Sequence, residues 1–92
     1  MLTEQDLIKD KWKLLPNGYT KLGVIVSQKG GRWQCRFIVG DTSAYTDPQP
    51  YYSLVELYSH IKSCVKDILD PPFELVQRLT ISQKRTLKNW IL

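Results

Sequence analysis

The stretch KLGVIVSQKGGRWQCRFIVG, residues 21–40, is the feature that most constrains the fold of this chain. Two apolar runs flank the pair Gly30-Gly31, and glycine supplies the positive φ angles that a two-residue hairpin turn requires. Side chains alternate between the two faces of a strand, so a turn at this pair decides which residues share a face. The sequence therefore predicts an antiparallel hairpin over residues 19–39.

This register sorts the side chains of the hairpin into an apolar face and a basic face. The apolar set, which we expect to face the core, is Leu22, Val24, Val26, Trp33, Cys35, Phe37 and Val39. The opposite set is Lys21, Gly23, Ile25, Ser27, Lys29, Arg32, Gln34, Arg36 and Ile38. A slip of one residue would mix the two sets, so the pattern specifies its own register.

Capping residues and apolar spacing predict the elements on either side of the hairpin. Thr3 and Asp6 resemble a capping box, which begins a short helix over about residues 4–13. Residues 44–46 could add a third strand before the turn residues that follow them. Ser53 and Glu56 form a second capping box, and apolar residues at three- and four-residue spacing predict the main helix over about residues 53–69.

The C-terminal third predicts two further short helices. One covers about residues 72–79 with Phe73, Val76 and Leu79 facing inward. The other begins at a capping Ser82 and has Leu87, Trp90 and Ile91 on its apolar side. We therefore expect one domain over residues 1–92 with an α+β fold. In this fold a small antiparallel sheet of two or three strands packs on the helix near residues 53–69, with short helices at both termini.

The chemistry-bearing residues favour a binding protein over an enzyme. His60 is the single histidine, and we expect it on the surface because it lies away from the apolar side of its helix. Cys35 and Cys64 fall in different elements, and a zinc site needs about four nitrogen or sulfur ligands. We expect no catalytic, metal-binding or cofactor-binding residues. The two cysteines are either free thiols in a reducing compartment, which we favour, or a disulfide pair.

Two segment types are missing from the sequence. No apolar run reaches the length of a membrane span, and the N-terminus has no basic segment followed by an apolar one. We therefore expect a cytoplasmic location and no membrane contact.

Two functions remain open. The first is a protein-interaction or regulatory domain, with contacts through aromatic residues or a homo-oligomer formed at a sheet edge. The aromatic candidates are Tyr45, Tyr51, Tyr52 and Trp90. The alternative is a nucleic-acid-binding regulator that uses the basic face of the hairpin and the basic C-terminal helix. Its candidate residues are Lys21, Lys29, Arg32, Gln34, Arg36, Lys84, Arg85 and Lys88.

The net charge and the placement of aromatic residues favour the first of these functions. The formal charge of +4 is a weak attraction for an anionic partner. A sheet that binds nucleic acid usually carries aromatic side chains on its exposed face for stacking on bases. The predicted basic face has none, because Trp33 lies on the core side. We therefore rank a protein partner above nucleic acid at this point.

Overall fold

The chain has an α+β fold with a five-stranded antiparallel sheet and three helices in the computed structural model, which describes residues 1–39, 42–70 and 79–92. The helices are α1 (Glu4–Lys9), α2 (Leu54–Ile68) and α3 (Ile81–Lys88). The strands are β1 (Lys13–Leu15), β2 (Gly18–Lys21), β3 (Val24–Lys29), β4 (Arg32–Val39) and β5 (Thr42–Tyr45). Each strand pairs with the next one along the chain, so the sheet order is β1-β2-β3-β4-β5.

The predicted register of the central hairpin is confirmed between β3 and β4. Val26 pairs with Cys35 and Val24 pairs with Phe37, as the alternation of apolar residues requires. The turn glycines Gly30 and Gly31 have φ angles of 59° and 77°, which are the positive values expected of a two-residue turn. The apolar pattern and the turn thus agree on one pairing.

The first half of the predicted hairpin is wrong, because residues 19–29 form two strands rather than one. Leu22 and Gly23 make a second tight turn with φ angles of 47° and 81°, and Lys21 pairs with Val24 across it. Directly paired residues share a face of the sheet, so Lys21 lies on the core side with Val24. Leu22 lies in the turn, is 38% exposed and has no partner in β4.

The N-terminal helix is shorter than predicted. The capping box is confirmed: Thr3 Oγ1 accepts from the Asp6 backbone N–H, and the Asp6 carboxylate accepts from the Thr3 backbone N–H. The helix ends at Lys9, and Lys11 adopts a φ of 67° that no helix can continue. The following residues form β1, which pairs with β2 and was not predicted.

The third predicted strand and the main helix are both confirmed. β5 lies within two residues of the predicted segment, and the chain after it stays beside β4 through paired backbone hydrogen bonds between Trp33 and Gln49. Ser53 is the N-cap of α2, and its Oγ accepts from the Glu56 backbone N–H. The Glu56 carboxylate accepts from the Tyr52 backbone N–H rather than from Ser53.

The last helix begins before its predicted cap. Thr80, not Ser82, is the N-cap of α3, and it forms a capping box with Gln83. Leu87 and Trp90 are buried, which confirms the predicted apolar side of this helix. The helix predicted over residues 72–79 lies outside the described residues except for its last residue, which is buried as expected.

A single cluster of buried side chains joins one face of the sheet to the helices. Its largest fully buried members include Phe37 from the sheet, Leu57 and Ile61 from α2, and Leu87 from α3. An aromatic group closes one end, where Trp12 and Tyr58 contact Trp90 at ring-centroid distances of 5.8 Å and 5.3 Å. None of the described helices has the length and apolar character to cross a bilayer.

Candidate functional site

The face of the sheet that points away from this core is the candidate site, and we call it the outer face. The strand pairings assign to it the side chains of Lys13, Leu15, Thr20, Ile25, Ser27, Lys29, Arg32, Gln34, Arg36, Ile38, Ser43 and Tyr45. Most of these side chains are exposed or half-buried, and Ile25 is the buried exception at 5% exposure. The outer face is therefore largely open to solvent.

Positive charge dominates the outer face. It carries the four cations Lys13, Lys29, Arg32 and Arg36, and none of the residues in the five strands is acidic. Cations that are clustered without interspersed carboxylates give a surface a positive local potential. Three of the four were candidates from the sequence. Lys13 was missed because β1 was not predicted, although the Asn17-Gly18 pair after it is a hairpin signal.

Lys21 does not belong to this basic surface. Its Nζ donates to the Asp10 backbone carbonyl at 2.8 Å and to Asp10 Oδ2 at 3.1 Å. The same ammonium group lies 5.6 Å from the ring centroid of Tyr58 on α2. The turn at Leu22 moves Lys21 to the core side, where it forms an ion pair with Asp10.

The edge strand β5 brings to the outer face an aromatic residue that the sequence did not place there. Arg36 pairs with Tyr45 on β5, its Nη1 donates to Tyr45 Oη at 3.5 Å, and its Cζ lies 5.9 Å from the ring centroid. Tyr45 is 61% exposed. Gln34 is also held in place, because its Nε2 donates to the Thr46 backbone carbonyl at 2.9 Å. The hairpin itself has no aromatic residue on this face, as expected, and β5, which the predicted basic face did not include, adds Tyr45 to it.

The C-terminal candidates Lys84, Arg85 and Lys88 lie on α3, at one end of the sheet. A cavity of about 220 Å³ lies between Gly23 and Ile38 of the sheet region and Ser82, Gln83, Thr86 and Leu87 of this helix. Lys29 and Arg32 lie at the other end of the β3–β4 hairpin. Ile38 is six positions along the strand from Arg32, a length of about 20 Å. The helix α3 and the pair Lys29 and Arg32 thus lie near opposite ends of the β3–β4 hairpin, and the C-terminal cations are not part of the outer face.

Two of the four aromatic candidates are part of the core. Tyr51 is 6% exposed and Trp90 is 5% exposed, and Trp90 Nε1 donates to the Leu22 backbone carbonyl at 3.0 Å. Tyr45 and Tyr52 are exposed, at 61% and 67%. Only two of the four aromatic candidates are therefore available to a protein partner.

His60 is half-buried rather than free on the surface. Its Nδ1 shares a hydrogen bond with Tyr51 Oη, which also lies 4.0 Å from Cys35 Sγ. Burial raises the pKa of the Cys35 thiol to about 11 and also raises the pKa of Cys64. Both cysteines are free. Thiols with raised pKa values are protonated at neutral pH and are weak nucleophiles.

The described residues contain no group of histidine, cysteine and acidic side chains that could hold a metal ion. Comparisons with models of protein families, with curated proteins and with solved structures found no match to this chain.

Proposed function

We propose that this chain is a non-enzymatic nucleic-acid-binding domain that contacts the phosphate backbone through the outer face of its sheet. The observation that carries this proposal is the set of four cations on a sheet whose strands contain no acidic residue. Exposed Tyr45 beside Arg36 adds the aromatic contact that such surfaces use. The sequence alone favours a protein partner, but two of the aromatic residues on which that choice depends, Tyr51 and Trp90, are buried. We therefore rank nucleic acid above a protein partner.

The salt dependence of binding tests this proposal. We would measure fluorescence anisotropy of labelled oligonucleotides, single-stranded and duplex, from low to physiological salt. The variant Lys29→Gln with Arg32→Gln removes two exposed cations from the outer face. Each phosphate contact contributes about 0.7 to the slope of log K against log salt for a single strand and about 0.9 for a duplex. If both residues contact phosphates, the slope therefore becomes shallower by roughly 1.4 for a single strand and roughly 1.8 for a duplex.

A matched control separates local contacts from general attraction. The variant Lys62→Gln with Lys66→Gln removes two exposed cations from α2. This helix packs on the core side of the sheet, away from the outer face. Both double variants lower the net charge by the same amount. If they lose affinity equally, net charge and not the outer face attracts the oligonucleotide, and the proposal is refuted.

A protein partner is the second candidate, and a different surface supports it. Tyr52 and Val55 are exposed, at 67% and 77%, where α2 begins. Beside them lies a surface cavity of about 430 Å³ lined by Gln49, Pro50, Tyr51, Tyr52, Glu56 and His60. Exposed apolar side chains next to a concave surface are typical of protein contact sites. Affinity purification with the native chain and with Tyr52→Ser plus Val55→Ser tests this. A protein retained by both chains would contradict it.

We also propose an intracellular location and keep homo-oligomerisation through a sheet edge as a proposal. The free thiols of Cys35 and Cys64 support a reducing compartment. β1 and β5 are the edge strands of the sheet. A sedimentation-equilibrium mass equal to the monomer mass of 10.7 kDa at every protein concentration would refute self-association.

A further inference from the structure

The residues across the centre of the outer face form a row, and two of its members, Arg36 and Tyr45, contact each other. The row runs through Lys13, Thr20, Ile25, Arg36 and Tyr45, one residue from each strand. Tyr45 ends this row on β5, which is an edge strand of the sheet in the described part of the chain. Its ring contacts the Arg36 guanidinium and is otherwise 61% exposed.

Two polar atoms in this row are buried and have no hydrogen-bond partner within the described part of the chain. They are Arg36 Nε and Thr20 Oγ1, on the two sides of the buried Ile25. A buried donor without an acceptor costs free energy, and the cost is larger for a charged group. Because Nε is buried, an anion in this conformation would accept from the terminal nitrogens of Arg36, and hydrogen bonds from a charged donor are stronger than neutral ones.

The same contacts weigh against base reading in a duplex. A two-stranded ribbon in a major groove uses extended arginine and amide side chains to reach base edges. Arg36 is instead bonded to Tyr45, and the Gln34 amide is bonded to the Thr46 carbonyl. The side chains at the centre of the ribbon thus lie along the protein surface, where they offer a flat ring and a cation.

From these contacts we infer that the ligand of the outer face is single-stranded nucleic acid, with one base stacked on Tyr45 and a neighbouring phosphate held by Arg36. This inference rests on the proposed function. In a duplex each base is stacked between its neighbours and presents only its edges. An unpaired base can offer its face to a tyrosine, and such stacking is tolerant of sequence.

The test compares strand state and ring chemistry at position 45. A labelled single-stranded oligonucleotide and a duplex of the same sequence are titrated by anisotropy at one fixed salt concentration. We expect the single strand to bind more tightly. Tyr45→Leu keeps an apolar side chain but removes the ring, and should weaken single-strand binding by about tenfold. Tyr45→Phe keeps the ring and should stay within about threefold of the native affinity, since stacking survives.

A control at another exposed tyrosine makes the result specific. Tyr52 has similar exposure but lies outside the outer face, so Tyr52→Leu should leave binding unchanged. Equal or tighter binding of the duplex would overturn the inference. So would native affinity in Tyr45→Leu while the Lys29 and Arg32 variant still weakens binding, and in that case the proposed function would stand. If the native chain binds neither the single strand nor the duplex, this inference and the proposed function are both refuted.

Discussion

The hydroxyl group of Tyr58 joins three segments of the chain that are distant in sequence. Trp12 Nε1 donates to Tyr58 Oη at 2.8 Å, and Tyr58 Oη donates to the Asp10 carboxylate. Lys21 Nζ pairs with the same carboxylate oxygen at 3.1 Å. Removal of this one oxygen atom by Tyr58→Phe should therefore disturb the contact between the N-terminal segment, β2 and α2.

The size of the effect follows from the burial of the groups that lose a partner. Trp12 is 4% exposed, so its indole N–H cannot find water without a local opening. An unsatisfied buried donor costs about 1–3 kcal/mol, and loss of a hydrogen bond to a charged group costs about 1.5–3 kcal/mol. Asp10 is 40% exposed and regains water, which lowers the second cost. We therefore expect Tyr58→Phe to lower the free energy of unfolding by about 2–4 kcal/mol.

Urea unfolding followed by tryptophan fluorescence and by far-ultraviolet circular dichroism measures this loss. In thermal unfolding, each kcal/mol lost should lower Tm by about 4–8 °C in a domain of this size. Tyr52→Phe is the control, because it removes a hydroxyl from a side chain that is 67% exposed and should change stability by less than about 0.5 kcal/mol. Equal losses in the two variants would refute the reasoning.

Three further predictions concern a turn, a cap and a thiol. Leu22→Asn should raise the free energy of unfolding by about 0.5–1 kcal/mol, because a leucine at positive φ is strained and Asn tolerates that conformation; an unchanged Tm would contradict this. Thr80→Ala should cost about 1 kcal/mol and Ser82→Ala less than half of that, since Thr80 is the cap of α3; the reverse order in urea unfolding would contradict it. Burial raises the pKa of the Cys35 thiol from 9.0 to about 11 in the folded protein, so the unfolded chain loses this proton at a lower pH than the folded one. The free energy of unfolding should therefore fall as pH rises from about 9 to about 11. Cys35→Ala should flatten this pH profile, and an identical profile would count against the assignment.

Local patterns were enough to predict the centre of this fold. The β3–β4 register follows from two features within a few residues: the alternation of apolar side chains, and the glycine pair that makes the turn. The helix α2 follows from its cap at Ser53 and its apolar spacing. Each of these signals depends on neighbours in sequence, so the rest of the chain need not be known.

The candidate site depended on contacts that are distant in sequence. Lys21 left the basic face because Leu22 adopts a left-handed conformation, which no local preference of leucine predicts. Tyr45 reached that face only through its pairing with Arg36.

The sequence by itself determined that one face of the central hairpin is apolar and the other is basic, because strand alternation and a glycine turn are local. The tertiary structure alone decided which aromatic residues reach solvent, because burial depends on elements far apart in the chain. Trp90 is covered in a cluster with Trp12 and Tyr58, whereas Tyr45 lies open on an edge strand beside a cation.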